Sequence, residues 1–253
     1  MLGRSGLYQP GGAWGFRDQL QDVMSVLYSD PAYARRQILD HAAHQFAEGD
    51  VLHWWHEPYS GVRTKIRDDL LFLPYVTAQY VKITGDENVL WEGVPFLENI
   101  EIPDGKEDIY APMKPTNRCA TLHDHCMRAF RRAAQTGEHG LCLMGTGDWN
   151  DGMNRVGAEG RGESIWLSEF LAVCAKEYAY YGWVLQLHYN CLRNPNTKMF
   201  QTLGADTGFD CIGPNNSCHS LPGILNALYS EDSLPKTIIY SLDATDNTFI
   251  DTI

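Results

Sequence analysis

The stretch from Asp68 to Thr84 constrains the fold more than any other part of this chain. Leu70, Leu71, Leu73, Val76, Ala78 and Val81 make it apolar over much of a helical circumference, and Gly85 supplies the residue that ends a helix. A helix apolar nearly all round needs neighbours on several sides, so other helices must pack around it. The flanking sequence provides them. Leu20, Val23, Met24 and Leu27 mark a short amphipathic helix. Asp30-Pro31 is a helix start, Asp as cap and Pro at the first helical position. After it Ala34, Ile38, Leu39, Ala42, Ala43 and Phe46 recur at helical spacing until Gly49. A further helix is predicted over Thr121 to Thr136, with Leu122, Met127, Phe130 and Ala134 inward and Arg128, Arg131 and Arg132 in solvent. Another begins near Glu163 and runs through Trp166, Leu167, Phe170, Leu171 and Ala175. The first two thirds therefore read as helices joined by polar loops, a mainly α architecture of the toroid or bundle kind.

Near residue 180 the pattern changes. Trp183-Val184-Leu185-Gln186-Leu187 is a short β-type run, and Lys236 to Leu242 is a second, β-branched and bounded by Pro235 and Asp243. A Gly/Asn/Pro/Asp-rich stretch and a short helix near Leu221 to Tyr229 separate them. This predicts an α/β region with parallel strands, with the junction within residues 168–182. Domains are expected at 1–175 and 176–253.

Composition excludes some functions. The 253 residues carry a net charge of −12, which repels phosphate backbones and anionic lipid, so neither nucleic acid nor membrane is expected as a partner. The longest apolar run, Leu70 to Val76, is far too short to span a bilayer, and the first residues hold no hydrophobic signal region. Seven cysteines without a C-x-x-C pair argue against a disulfide framework or a zinc finger. The expectation is a soluble, cytoplasmic protein.

The strongest chemical signal is Gly145-Thr146-Gly147-Asp148-Trp149-Asn150-Asp151-Gly152. Two carboxylates three residues apart, with an indole and an amide between them, supply an acid, a stacking face and a hydroxyl-binding group. Glycosyl transfer needs such an acid to protonate the leaving oxygen. An Asn/Asp/Gly turn that merely caps backbone amides uses the same residues and is an equal reading of the local pattern. In Tyr8 to Gln19, the adjacent Arg17 and Asp18 follow a glycine-rich aromatic loop and can grip sugar hydroxyls, although Asp18 as a plain helix cap is the simpler reading. His53-Trp54-Trp55-His56 reads as a packed aromatic loop lining a pocket rather than a metal site. His123-Asp124-His125 sits in a helical pattern, which sends its two rings to different faces, so it is mainly structural. Arg63 to Asp69 is a charge run, by default a solvated face or cap, with Asp68 or Asp69 as the members able to face a pocket. Gly145-x-Gly147 does not continue into a dinucleotide fingerprint.

Several ordered stretches together carry a resemblance. Tyr8 to Asp22, Glu48 to His56, Asp68 to Tyr75 and Gly145 to Gly157 resemble the inverting glycoside phosphorylases of glycoside hydrolase family 94, including the phosphorylase-like domain of cyclic β-1,2-glucan synthases. The likeness covers residues from about 7 to about 172. It implies an (α/α)6 toroid and attack of inorganic phosphate on the anomeric carbon of a β-linked glucoside, with phosphate as co-substrate and neither cofactor nor metal. It also implies that Asp151 is the general acid, that Trp149 and Asp148 line the sugar site, and that Arg17 and Asp18 bind the sugar. Phosphate is already a nucleophile, so one protein carboxylate suffices.

Residues from about 178 to 253 resemble a segment of the uronate isomerases, TIM-barrel proteins of the amidohydrolase superfamily. The likeness rests on Gly182 to His188, Leu192 to Thr197, Leu203 to Asp210 and Leu234 to Tyr240. The family's first-strand H-x-H and last-strand Asp are not in this segment, so an isomerase site is not expected. Both likenesses are partial: twelve helices need on the order of 200 residues and a β/α barrel about 250. The expectation is two incomplete family segments joined in one chain. Helix faces left without partners would be buried by association of copies into a homo-oligomer. The expected activity is inverting phosphorolysis of a β-glucan oligosaccharide, or weak inverting hydrolysis. A non-catalytic sugar-binding fusion is the alternative and uronate isomerisation the last choice.

Overall fold

A computed structural model describes residues 12–180 of the chain and, beyond them, 182, 184–189, 191–192, 195–196, 198–199, 202, 211–212, 221–230 and 232–252. Tyr8 to Gly11, Trp183, Arg193-Asn194, Thr197 and Leu203 to Asp210, used in the two resemblances above, lie outside the described residues. The chain divides into two compact units, one of residues up to 135 with 143–171, the other of 136–142 with the residues from 172 onward.

In the first unit the helices are α1 (Phe16–Val26), α2 (Pro31–Ala42), α3 (Asp69–Thr84), α4 (Leu122–Ala133), the single turn α5 (Asn154–Gly157) and residues 165–171 of α6 (Ile165–Tyr180). α3 lies in the middle, packed against α1, α2 and α4. Leu70, Leu71, Leu73, Val76 and Ala78 are fully or almost fully buried, as its apolar circumference requires. Gly85 ends it in the left-handed conformation with φ 71°, its N–H donating to the Val81 carbonyl. Asp30 caps α2 by accepting from the Tyr33 N–H at 2.9 Å, with Pro31 opening the helix.

The loops expected between these helices are largely strands. β1 (Trp14–Gly15), β2 (Leu52–His56), β3 (Ser60–Thr64) and β5 (Asp108–Pro112) form an antiparallel sheet in the order β1-β2-β3-β5. β4 (Gly93–Leu97) pairs antiparallel with β6 (Pro115–Thr121). The aromatic segment read as a loop is β2, a correction with a physical cause. Trp55 is buried on one face of the strand against Phe16, His41 and His44, while Trp54 meets His56 and Tyr110 on the other. Aromatic residues on both faces erase the period-two signal by which a half-buried strand is recognised.

α2 also ends at Ala42, seven residues before the glycine expected to close it. Gln45 and Phe46 instead form β-bridges to Val51 and Leu97, so these backbone groups bond across the chain rather than along a helix. The carbonyls of that turn recruit the arginines expected in solvent. Arg128 donates to the Ala47 carbonyl at 2.8 Å and Arg132 to the Glu48 carbonyl at 3.3 Å, while Arg131 stays exposed.

In the second unit, strands Val184–Tyr189 and Lys236–Ser241 pair in parallel, with Lys236 opposite Val184 and Ser241 opposite Tyr189. Helix Leu221–Ser230 lies between them in sequence. Its Leu221 and Leu225 gather Ile224, Leu234, Ile239 and Ile250 into a small core. No helix among the described residues is long and apolar enough to cross a membrane.

Candidate active site

Three pieces of the first unit converge on the Asp148–Asp151 loop. The first is the start of α1. Gly15, not Asp18, is its N-cap, and Asp18 lies inside the first turn. Its carboxylate stands over Gly15 so closely that a β-carbon there would overlap it. The second is β2, which presents His53. The third is the start of α3, where Asp68 and Asp69 sit. The charge run containing them is no solvated face, since Asp68 is 0% and Asp69 1% exposed. Nor does Asp68 cap the helix backbone. It is turned instead to Arg17, whose Nη1 lies 2.8 Å from both of its oxygens.

Arg17 ties the pieces together. The same Nη1 donates to the Asp148 carbonyl at 3.1 Å, and Nη2 donates to Asp151 Oδ1 at 2.5 Å. A cation near a helix N-terminus is opposed by the helix dipole, so the three carboxylates around it offset that repulsion. Burial would weaken the Arg17 charge, but Asp69, Asp68 and Asp151 outweigh it and hold the guanidinium more firmly protonated than usual. His53 makes the second link: Nδ1 is 2.7 Å from Asp69 Oδ2 and Nε2 is 3.7 Å from Asp151 Oδ2.

The loop itself is held by close backbone approach. Gly145 has φ 64°, and a β-carbon there would overlap the Lys65 carbonyl oxygen, so this position requires glycine. Arg67 N–H donates to the Gly147 carbonyl at 3.0 Å. Asp148 is turned inward. One of its oxygens accepts from the Asn150 N–H at 2.9 Å and the other from the Ser164 hydroxyl at 2.5 Å. It therefore shapes the turn, while Asp151, three residues on, has a side chain 45% exposed.

Four carboxylates, Asp18, Asp68, Asp69 and Asp151, thus face two cations, Arg17 and His53. The shortage of positive charge sets their proton affinities. Burial and the adjacent Asp69 push Asp68 up to about 7, against the pull of Arg17. Burial also raises Asp18, with Asp69 and Asp151 adding to it and Arg17 and His53 opposing. Asp151 goes the other way: burial raises it, but contact with His53 and Arg17 outweighs burial and holds it below the ordinary carboxylate value. Burial lowers the His53 imidazole, yet Asp69 and Asp151 together carry it up to about 10. Asp69 Oδ1 is buried with no hydrogen-bond partner among the described residues.

Beside the Asp148–Asp151 loop lies an open cleft of about 280 Å³ lined by Gln21, Met24, Phe72, Tyr75, Trp149, Trp166 and Phe170. Trp149 is 47% and Trp166 38% exposed, and their ring centroids are 6.1 Å apart. The Arg17 guanidinium lies 4.9 Å from the Trp149 ring centre, which fixes the indole between cation and cleft. Of the residues singled out in the sequence, Arg17, Asp18, Trp149 and Asp151 come together here. Asp69 and His53, from segments also read as able to face a pocket, meet them, and Trp166 and Phe170 join the group. Trp166 and Phe170 carried only a helical-periodicity signal, and His53 lay in the segment mistaken for a loop. His125 is fully buried, stacked on Phe96 with Nε2 3.1 Å from the Val94 carbonyl. Among the described residues no three His, Cys, Asp or Glu side chains are grouped so as to hold a metal ion.

Comparison with known proteins adds two independent likenesses. The family profile described as "Glycosyl hydrolase 94 superfamily, catalytic domain" matches residues 1–186. A cyclic β-(1,2)-glucan synthase, NdvB, of Rhizobium meliloti is 47% identical over 174 residues, which cover 68% of this chain and 6% of that protein. A uronate isomerase of Lachnoclostridium phytofermentans is 54% identical over 84 residues, 33% of this chain and 18% of that protein. The uronate isomerase of Caldicellulosiruptor bescii is 48% identical over 83 residues, again 33% of this chain and 18% of the isomerase. The chain thus spans a small part of each of these relatives.

Proposed function

The chain belongs to the glycosyl hydrolase 94 superfamily, and on that premise we propose that it cleaves β-linked oligoglucosides by inverting phosphorolysis, with Asp151 as the general acid. The observation that carries this reading is the Asp151 side chain, 45% exposed beside a buried Arg17 and a half-exposed Trp149. A carboxyl group at the edge of an aromatic cleft can reach a glycosidic oxygen, while Asp18, Asp68 and Asp69 are held further inside.

In this mechanism the glucosyl unit that loses its bond lies over the Arg17–Asp18–Asp69 group. Asp18, the one of the three that is not buried, accepts one of its hydroxyls. The leaving portion of the oligosaccharide lies in the cleft, its apolar ring face against Trp149 and Trp166. Hydrogen phosphate attacks the anomeric carbon from the opposite side as Asp151 gives its proton to the departing oxygen. The C–O bond to the leaving sugar breaks, a C–O bond to phosphate forms, and the configuration inverts. Inverting hydrolysis would need a carboxylate base about 6.5–9.5 Å from the acid to activate water.

Residues 176–253 we read as a segment of the uronate isomerase barrel, supported by their parallel strand pair and by the 54% identity that 84 residues of this chain share with the Lachnoclostridium phytofermentans enzyme. The product decides among the readings of the whole chain. Glucose 1-phosphate released from a β-1,2-glucan oligomer only when phosphate is present is the expected result. Free glucose without phosphate would mean hydrolysis, and binding without product would mean a sugar-binding module.

A further inference from the structure

The acid reading leaves a difficulty that the geometry answers. A general acid must carry a proton when substrate arrives, yet two cations flank Asp151 and favour its carboxylate form. One of those cations, Arg17, cannot give up a proton at any working pH. The other can. His53 is gripped at one end and open at the other. Its Nδ1 is 2.7 Å from Asp69, which is 1% exposed and sits at the first position of α3, so the ring cannot turn freely. Donation of Nδ1–H to this carboxylate sets the ring so that Nε2 points at Asp151 Oδ2, 3.7 Å away. That gap is longer than a hydrogen bond and closes with a small movement of the exposed Asp151 side chain.

We propose that His53 and Asp151 share one proton across Nε2 and Oδ2, and that His53 is the positioning residue that stores the acid's proton until substrate is bound. The inference rests on the reading of Asp151 as the acid. In the free site the proton is on Nε2 and Asp151 is a carboxylate held by Arg17. A sugar hydroxyl that engages Arg17 weakens its grip on Oδ1 and raises the proton affinity of Asp151. The Nε2–H bond then breaks as Oδ2–H forms, leaving a neutral imidazole still bonded to Asp69 through Nδ1–H. Asp151 passes the proton to the glycosidic oxygen, and the proton carried in by hydrogen phosphate returns to Nε2. One proton enters with phosphate and one leaves with the alcohol, so the site is restored.

The charged groups facing the ring are Asp69 and Asp68 from α3, Arg17 and Asp18 from α1, and Asp151 from the loop. Asp69 and Asp151 favour the imidazolium and Arg17 opposes it. High imidazole basicity keeps the shared proton in place well above neutral pH.

The test is the pH dependence of kcat/KM for phosphorolysis of a β-1,2-glucan oligomer by the full chain and by His53→Gln. Glutamine keeps a donor near Asp151 but stores no proton. The alkaline limb should move down by two pH units or more, with activity retained near pH 5 and KM changed less than about threefold. A limb that stays in place or moves up, or a loss equal at every pH, overturns the proposal. The second measurement needs no turnover: the ¹⁵N signals of the His53 ring, followed with pH in the wild type and in Asp151→Asn. Loss of the partner carboxylate should lower the ring's titration midpoint by at least one unit, and an unchanged midpoint overturns the pairing. If the wild type forms no glucose 1-phosphate, the reading of Asp151 as an acid fails, and the ring titration still decides whether the pair exists.

Discussion

Arg17 holds Asp68 and Asp151 with a single guanidinium, Nη1 at 2.8 Å from Asp68 Oδ2 and Nη2 at 2.5 Å from Asp151 Oδ1. The two partners differ in one decisive respect. Asp68 is wholly buried and Asp151 is half exposed. One arm of the arginine is therefore anchored in the protein while the other is exchangeable with a ligand.

Removal of the anchor tests the buried half. Asp68→Ala removes both contacts of Nη1 with the Asp68 oxygens and leaves that arm of Arg17 only the Asp148 carbonyl, while Asp151 still faces the cation; losing a hydrogen bond between charged groups in this way costs about 1.5–3 kcal/mol. Asp68→Asn keeps an acceptor and should cost less. Urea unfolding of the three proteins measures the difference, and equal midpoints would show that Asp151 alone satisfies Arg17.

Asp151→Asn tests the exchangeable half. The amide keeps the shape and can still accept from Arg17 but has no proton to give. Bond cleavage should fall by about 10²–10⁴-fold with the melting temperature little changed. Retention of full glucose 1-phosphate release would remove Asp151 from the chemistry.

Trp149→Ala should weaken binding of a β-glucan oligomer about threefold to tenfold, the equivalent of losing an aromatic contact of about 0.5–1.5 kcal/mol. Titration calorimetry with the Asp151→Asn protein reads this without turnover. Unchanged affinity would make the loop a structural turn.

Stability should depend on pH through His53 and Asp68, both raised in the folded state. For His53 the folded protein binds a proton that the unfolded chain has released above pH 6.5. Its contribution is thus fully present below pH 6.5 and lost as pH rises through about 10. For Asp68, stability likewise falls as pH rises from 3.8 to about 7. Denaturant midpoints between pH 6 and 10 should decline in the wild type and decline less in His53→Gln. Parallel curves would mean that His53 gains no proton affinity on folding.

The sequence alone determined which segments are helices where a one-dimensional signal exists. Asp30-Pro31 starts α2, Gly85 stops α3, and the apolar circumference of α3 placed it in the interior. It also brought out Arg17, Trp149 and Asp151, because an indole and a carboxylate in a glycine-flanked loop form a local chemical pattern. Only the tertiary structure decided where each carboxylate sits. Asp148 and Asp151 are equivalent as letters, yet Ser164 and the Asn150 N–H occupy the first and leave the second at the surface. Asp68 and Asp69 read as a charged face because they close a run that holds Arg63, Lys65 and Arg67; the cations they meet in the fold are Arg17, 51 residues before Asp68, and His53, 16 before Asp69. The strand β2 was hidden for a related reason, since its two faces are covered by partners distant in the chain. Propensity and periodicity report on neighbours a few residues away, whereas burial, charge pairing and strand exposure depend on residues that folding alone brings into contact.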